Sequence, residues 1–326
     1  MKAAVHDQFG NPADVLEPRD VDLSTPGEGE VRIKTILSPI HNHDLWTIRG
    51  DYGYKPPLPE AIGGSEAVGT IEAVGQGVDD AMIGRRVAIA GVHGSWAEYF
   101  IAPTAGLLPL PEQISDEQGA QLIAMPFSAI SLLQTLQAKP GEWIVQTASN
   151  GAVGRIMVGL TKARGIHLLN LVRRPEAAEE LREAGIENVL STSVEGWKDD
   201  ARALVGDGRI TSAIDSVGGA ISADLIDLLS ADGELVIFGS ATGEPMKLGS
   251  GPLIMKQIVI KGFWGAQVSA NMAPDLRKDL ISELVKLALQ GDLPLETGGI
   301  YALDQAKEAM TAALTPGRAG KILLKP

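Results

Sequence analysis

The sequence predicts an α/β protein in two parts, a β-rich domain followed by a doubly wound parallel sheet. Three observations carry that prediction. Apolar and polar residues alternate with period two through the first third, short apolar runs alternate with helical patterns from residue 143 onward, and a small-residue turn, Ser149-Asn150-Gly151-Ala152-Val153-Gly154, joins the first of those runs to the first helix. The chain has 326 residues, roughly twice the ~100 to 200 of a typical domain, which agrees with two.

In the first third, Val31, Ile33 and Thr35 alternate with Arg32 and Lys34, and Val68, Thr70 and Glu72 repeat the pattern. Arg86-Val87-Ala88-Ile89-Ala90 and Trp96-Ala97-Glu98-Tyr99-Phe100 follow, set apart by glycines and prolines. Ser115-Asp116-Glu117 opens a helical stretch that runs to about residue 139, where Pro140-Gly141 stops it. Strands are then expected at 143–148, 167–172, 188–190, 212–215, 234–238 and 258–261. Helices are expected between them at 152–164, 176–184, 196–205, 220–230 and 251–256. Strands joined by helical crossovers give a parallel sheet. Two more helices, 275–290 and 304–314, precede a last strand, 321–325, which is far enough along the chain to return to the first domain.

Composition narrows the function. Hydrophobic residues make up 44% and charged ones 21%, as in ordinary globular proteins, which excludes global disorder. The formal charge of -13, from 41 acidic and 28 basic residues, is the wrong sign for neutralising phosphate backbones, so no nucleic-acid partner is expected. With no cysteine there can be no disulfide, four-cysteine zinc site or thiol nucleophile. No apolar run is long enough to span a membrane, and Met1 to Asp7 lacks the apolar stretch of a signal peptide, so the expected location is cytoplasmic.

The turn at 149–154 matches two of the three glycines of G-x-G-x-x-G, with Ser149 in place of the first. Gly151 lets the backbone approach a pyrophosphate, and Gly154 lets helix and strand pack closely. The end of the second sheet strand is where an Asp or Glu would hold an adenosine ribose; Arg173-Arg174-Pro175 stands there instead. Two cations before a helix N-terminus oppose its dipole, and a bound 2′-phosphate would account for them, which favours NADPH over NADH. The competing reading pairs both arginines with Glu176 and Glu179 on the surface.

These residues resemble the medium-chain dehydrogenase/reductase superfamily along nearly the whole chain. Gly50, Pro59, Gly63-Gly64, Glu66, Gly69, Val74-Gly75, Gly84 and Val87 carry the GroES-like pattern, and Asp215-Ser216-Val217-Gly218-Gly219 is another common segment. The run from Ile254 to Trp264 is similar to the lysine-containing strand and Gly-Phe-Trp of mitochondrial-type trans-2-enoyl thioester reductases. The resemblance implies a GroES-like catalytic domain at 1–118, a Rossmann domain at 119–263 and a return of 264–326 to the first domain. It implies NADPH held by Ser149, Asn150, Gly151, Ala152, Val153, Gly154, Arg173 and Arg174, with Phe263, Trp264 and Lys321 near the nicotinamide. It also implies a homodimer formed through the edge strand containing Ile258-Val259-Ile260, because an open apolar edge is otherwise an aggregation hazard.

The zinc branch of the superfamily has cysteines and a His-Glu pair where this chain has His41-Asn42-His43-Asp44, Ser65-Glu66 and the neighbourhood of Met125, so the resemblance points to the zinc-independent branch and no metal. Taken by themselves, His41, His43, Asp44 and Glu66 could assemble a nitrogen and oxygen metal site, but histidines two apart with no third nearby are expected instead to bond loop backbone or water. Without a Lewis acid an activated C=C bond is the easier target, since hydride adds at the β-carbon and hydrogen bonds can hold the enolate. Ile48-Arg49-Gly50-Asp51-Tyr52 resembles the segment that carries the enoyl reductases' tyrosine, which implies Tyr52 as the catalytic donor. Met125-Pro126-Phe127-Ser128-Ala129 departs from their Asn-Pro-x-Thr-Ala segment, which leaves a quinone acceptor as the alternative to an enoyl thioester or enone. A third reading is a non-catalytic NADPH-binding sensor or structural protein.

Overall fold

A computed structural model of the chain describes residues 1–315, 317–318 and 320–326. Its strands are β1 (Lys2–His6), β2 (Glu17–Asp20), β3 (Glu30–Pro39), β4 (Ala61–Ile62), β5 (Glu66–Val74), β6 (Arg86–Ala90), β7 (Tyr99–Pro103) and β8 (Leu108–Pro109). They continue as β9 (Trp143–Gln146), β10 (His167–Val172), β11 (Val189–Ser191), β12 (Ile210–Asp215), β13 (Glu234–Ile237), β14 (Val259–Gly262), β15 (Thr297–Ala302) and β16 (Lys321–Lys325). The chain separates into two compact units, residues 1–125 with 288–291 and 295–326, and residues 126–287 with 292–294. The resemblance implies bounds of 1–118, 119–263 and 264–326; in this division residues 119–125 fall in the first unit, and 264–287 with 292–294 in the second.

In the first unit, one sheet runs β15-β16-β3-β5-β6-β8 with β7 also paired to β3, and a small sheet runs β2-β1-β4. The period-two reading of β3 is correct, since Val31, Ile33, Thr35 and Leu37 are all buried. Val31 and Ile33 pack with Ile71, Val87, Ile89 and Phe100. The predicted strand at 96–100 moves to Tyr99–Pro103, because Trp96 is fully buried and its indole N–H donates to Pro39 O at 3.1 Å. Its ring explains Gly63-Gly64: a Cβ on either would lie within 2.4 Å of the Trp96 side chain.

The last strand does return to this unit, pairing antiparallel with β3 through Leu323 to Pro39 and Leu324 to Ser38. Its parallel neighbour β15 and the helix Asn42–Arg49 are absent from the sequence reading. That helix is short and polar; the Asp44 carboxylate, which accepts from the His41 N–H at 2.9 Å, and burial of Leu45 and Ile48 hold it.

The second unit carries a six-stranded parallel sheet in the order β11-β10-β9-β12-β13-β14. Counted from β9, this is 3-2-1-4-5-6, the doubly wound order whose direction reverses between β9 and β12. All four residues of β9 are buried, as a central parallel strand covered on both faces requires. The predicted continuous helix from 116 to 139 is instead two, Asp116–Gly119 and Ala124–Leu136. The break leaves the Ile123 and Ala124 amides free to bond a side chain. Among the described residues no helix is long and apolar enough to cross a membrane.

Candidate functional site

The second unit holds the glycine turn at the carboxyl end of β9, next to the point where strand order reverses. Ala148 takes a left-handed φ of 53°, which turns the chain out of the sheet. Ser149 is fully buried and its hydroxyl bonds the carbonyls of Gln146 and Leu171, so it holds the turn. Gly151 is the N-cap of the helix Ala152–Ala163 and supplies no side-chain cap, which leaves that end open to an anion. Gly154 cannot be larger: a Cβ there would lie 2.7 Å from Ser149 Cα and 2.8 Å from its carbonyl oxygen. Asn150, Ala152 and Val153 complete the turn, and Gln146 Nε2 ties it down by donating to Gly154 O at 2.9 Å and Asn170 Oδ1 at 2.8 Å.

Arg173 and Arg174 follow β10 and are both exposed. The surface pairing with Glu179 is not made; Glu179 bonds Arg182 at 2.9 Å. Among the described residues neither Arg173 nor Arg174 forms an ion pair, so their charge is available to a ligand. After β12, Asp215 is buried and anchors the turn of the shared Asp-Ser-Val-Gly-Gly segment, accepting from the Val217 and Gly218 amides and from Ser222 Oγ at 2.6 Å. Phe263 is buried against Phe238, with ring centroids 5.8 Å apart, whereas Trp264 is 56% exposed.

The first unit contains a polar cluster that composition could not foretell. The sequence suggests that the His41 and His43 rings bond loop backbone or water; among the described residues the Nε2 of each bonds a side chain. His41 Nε2 lies 2.7 Å from Glu66 Oε2, and both side chains are closed to solvent. Glu66 Oε1 accepts from the Ile123 and Ala124 amides, both at 2.8 Å, at the break between the two helices. His43 Nε2 lies 2.8 Å from Ser65 Oγ, which donates to Asp44 Oδ1 at 2.6 Å. The Tyr52 ring sits 5.7 Å from the His43 ring, while Tyr54 stacks on His93 at 3.9 Å.

Lys321, which by sequence could be a solvated strand end, is buried and acts electrostatically on His41 and Glu66. Burial drives three of these groups, Glu66, Lys321 and His41, toward their neutral forms. It pushes the Glu66 carboxyl up to about 8, against the pull of the two amides, and the Lys321 ammonium down to about 8. It also holds the His41 ring well below its usual range, with Lys321 adding to the effect. The signal for this cluster was present as His41, His43, Asp44, Ser65 and Glu66, but Lys321 reaches it only by the pairing of β16 with β3.

The donors of this set are paired with one another rather than spaced for a zinc ion. Two ligands of a tetrahedral zinc, each ~2.0 to 2.1 Å from the metal, stand about 3.3 Å apart, whereas His41 and Glu66 are in direct hydrogen-bond contact at 2.7 Å. The other carboxylate oxygen of Glu66 and both oxygens of Asp44 are also committed to donors.

A glycine-turn dinucleotide fold joined to a GroES-like sheet domain defines a class, and the chain belongs to the medium-chain dehydrogenase/reductase superfamily. The alcohol dehydrogenase GroES-like domain family matches residues 27–112, and the zinc-binding dehydrogenase family matches residues 152–284. The human mitochondrial enoyl-[acyl-carrier-protein] reductase is 30% identical over 332 residues, covering 99% of this chain and 88% of that protein. A quinone oxidoreductase of Pseudomonas aeruginosa is 30% identical over 98% of this chain and 97% of its own length. The Escherichia coli quinone oxidoreductase complexed with NADPH superposes with a TM-score of 0.87 at 25% identity, covering both chains fully.

Proposed function

We propose that this chain is a zinc-independent, NADPH-dependent reductase that transfers hydride to an activated C=C bond, in a 2-enoyl thioester or an enone. The observation that carries the choice of reaction is the direct His41–Glu66 bond, which puts a hydrogen-bonded pair where the zinc branch has a Lewis acid. An isolated carbonyl would then lack its main oxyanion stabiliser, while a conjugated acceptor needs only a few donors. NADPH, when bound, supplies the hydride to the β-carbon. The turn from Ser149 to Gly154 would receive its pyrophosphate, and Arg173 with Arg174 its 2′-phosphate. Phe263, Trp264 and Lys321 would serve the nicotinamide end, and Tyr52 would donate a hydrogen bond to the enolate oxygen.

A quinone acceptor is the second reading, favoured by the Pseudomonas and Escherichia coli relatives and by the Met125-Pro126-Phe127-Ser128-Ala129 segment. NADPH oxidation measured over a panel of enoyl thioester, enone, quinone and aldehyde decides between them. Aldehyde as best acceptor overturns both, and tight NADPH binding without any turnover makes the chain a sensor or structural protein.

The proposal extends to a cytoplasmic homodimer. Among the described residues β14 has β13 as its single strand neighbour and Val259 on it is 54% exposed, while Ile254 and Met255 in the helix just before it in the chain are 66% and 84% exposed. Sedimentation should give a dimer at micromolar concentration, and Val259→Lys should shift it toward monomer.

A further inference from the structure

His43 is the partly exposed end of a chain of short hydrogen bonds that runs inward. Its side chain is 25% exposed and that of Asp44 4%. Ser65 Oγ gives its one hydrogen to Asp44 Oδ1, so toward His43 it can only accept, and this places a hydrogen on His43 Nε2. The order is unlike that of a nucleophilic serine, whose hydrogen must face the imidazole. What the chain does is hold the ring, with Nδ1 left as the nitrogen that can gain and lose a proton. The groups facing His43 are Asp44 at 3.5 Å, Ser65, the stacked His41 ring at 5.0 Å and Tyr52 at 5.7 Å. Glu66 and Lys321 act on the same cluster from its buried side, and Asp44 also acts on His93.

We propose that His43 is the proton donor to the α-carbon of the substrate, held by Ser65 and Asp44, while Tyr52 binds the enolate oxygen. This rests on the C=C reductase reading. Hydride arriving at the β-carbon brings its electron pair, and the π pair of the C=C bond moves into the conjugated carbonyl to make an enolate. Doubly protonated His43 then gives its Nδ1 proton to the α-carbon as the carbonyl re-forms. The neutral ring keeps its Nε2–H on Ser65, and takes the next proton from water at its exposed edge.

The test compares wild type with His43→Ala, His43→Gln and Ser65→Ala on the best C=C acceptor. His43→Ala should lower kcat by about a hundredfold, leave the NADPH Kd within about twofold, and recover about tenfold with added imidazole. His43→Gln keeps a donor toward Ser65 but cannot shuttle a proton, so it should be as slow as His43→Ala; a merely structural histidine would be rescued by it. In the protein without cofactor, nitrogen-15 histidine NMR should show the Nε2–H tautomer at His43, with that proton exchanging faster in Ser65→Ala. Turnover within about twofold of wild type in His43→Ala, full activity in His43→Gln, a loss that imidazole does not repair, or an Nδ1–H tautomer each overturns the assignment. If wild type itself reduces no C=C acceptor, the underlying reading fails first, and the assignment falls with it.

Discussion

The His41 ring and the Glu66 carboxyl share a hydrogen bond of 2.7 Å with neither side chain reaching solvent. Two ionisable groups are thus committed to one buried contact, and burial raises the Glu66 pKa from an ordinary carboxylic acid value to about 8. A carboxyl whose folded pKa lies above its unfolded one gives stability that is fully present below the unfolded value and is lost as pH rises through the folded one. Glu66→Gln keeps the shape and both amide contacts but cannot titrate. Wild-type stability relative to this variant should therefore fall between pH ~4.5 and ~8, by up to about 1.4 kcal/mol per pH unit. Denaturant midpoints across that range check it, and a flat difference removes the raised pKa.

Arg173→Ala should weaken NADPH binding about tenfold or more and leave NADH nearly unchanged, since a charge-assisted phosphate contact contributes about 1.5 to 3 kcal/mol. The exposed, unpaired position of Arg173 after β10 is the basis. Equal losses for both cofactors in a fluorescence titration would mean the 2′-phosphate lies elsewhere.

Gly154→Ala puts a methyl 2.7 Å from Ser149 Cα and 2.9 Å from Ala148 O, backbone atoms that cannot swing aside. Thermal unfolding should show a loss of about 1 to 3 kcal/mol, and NADPH affinity should fall with the distorted turn. Gly251→Ala is the control: its Cβ meets nothing within 4 Å, and it sits in a helix, where alanine is favoured.

Activity should survive chelation. His41 Nε2, Ser65 Oγ, Glu66 and Asp44 are all engaged with one another or with backbone amides, so a metal would have to break several short contacts to bind. Elemental analysis showing one zinc per chain, with turnover lost on its removal, would restore the alcohol dehydrogenase chemistry.

The sequence by itself determined the elements whose cause is local. Alternation wrote β3, short apolar runs wrote β9 to β14, and Gly151 with Gly154 marked the turn, because period, backbone freedom and lack of a Cβ act within a few residues. Bounds slipped where a side chain outweighed the pattern, as when Trp96 left the strand for the core and the expected helix broke at residues 120–123, with the Ile123 and Ala124 amides turned to Glu66. Only the tertiary structure decided the polar cluster. Glu66 meets His41 across 25 residues of chain, and Lys321 joins them because β16 lies against β3. The direction of each bond, and so which nitrogen of His43 is free, depends on Ser65 turning its one hydrogen to Asp44. Local preference cannot encode such a choice, since it follows from which donors and acceptors the fold buries together without water to satisfy them.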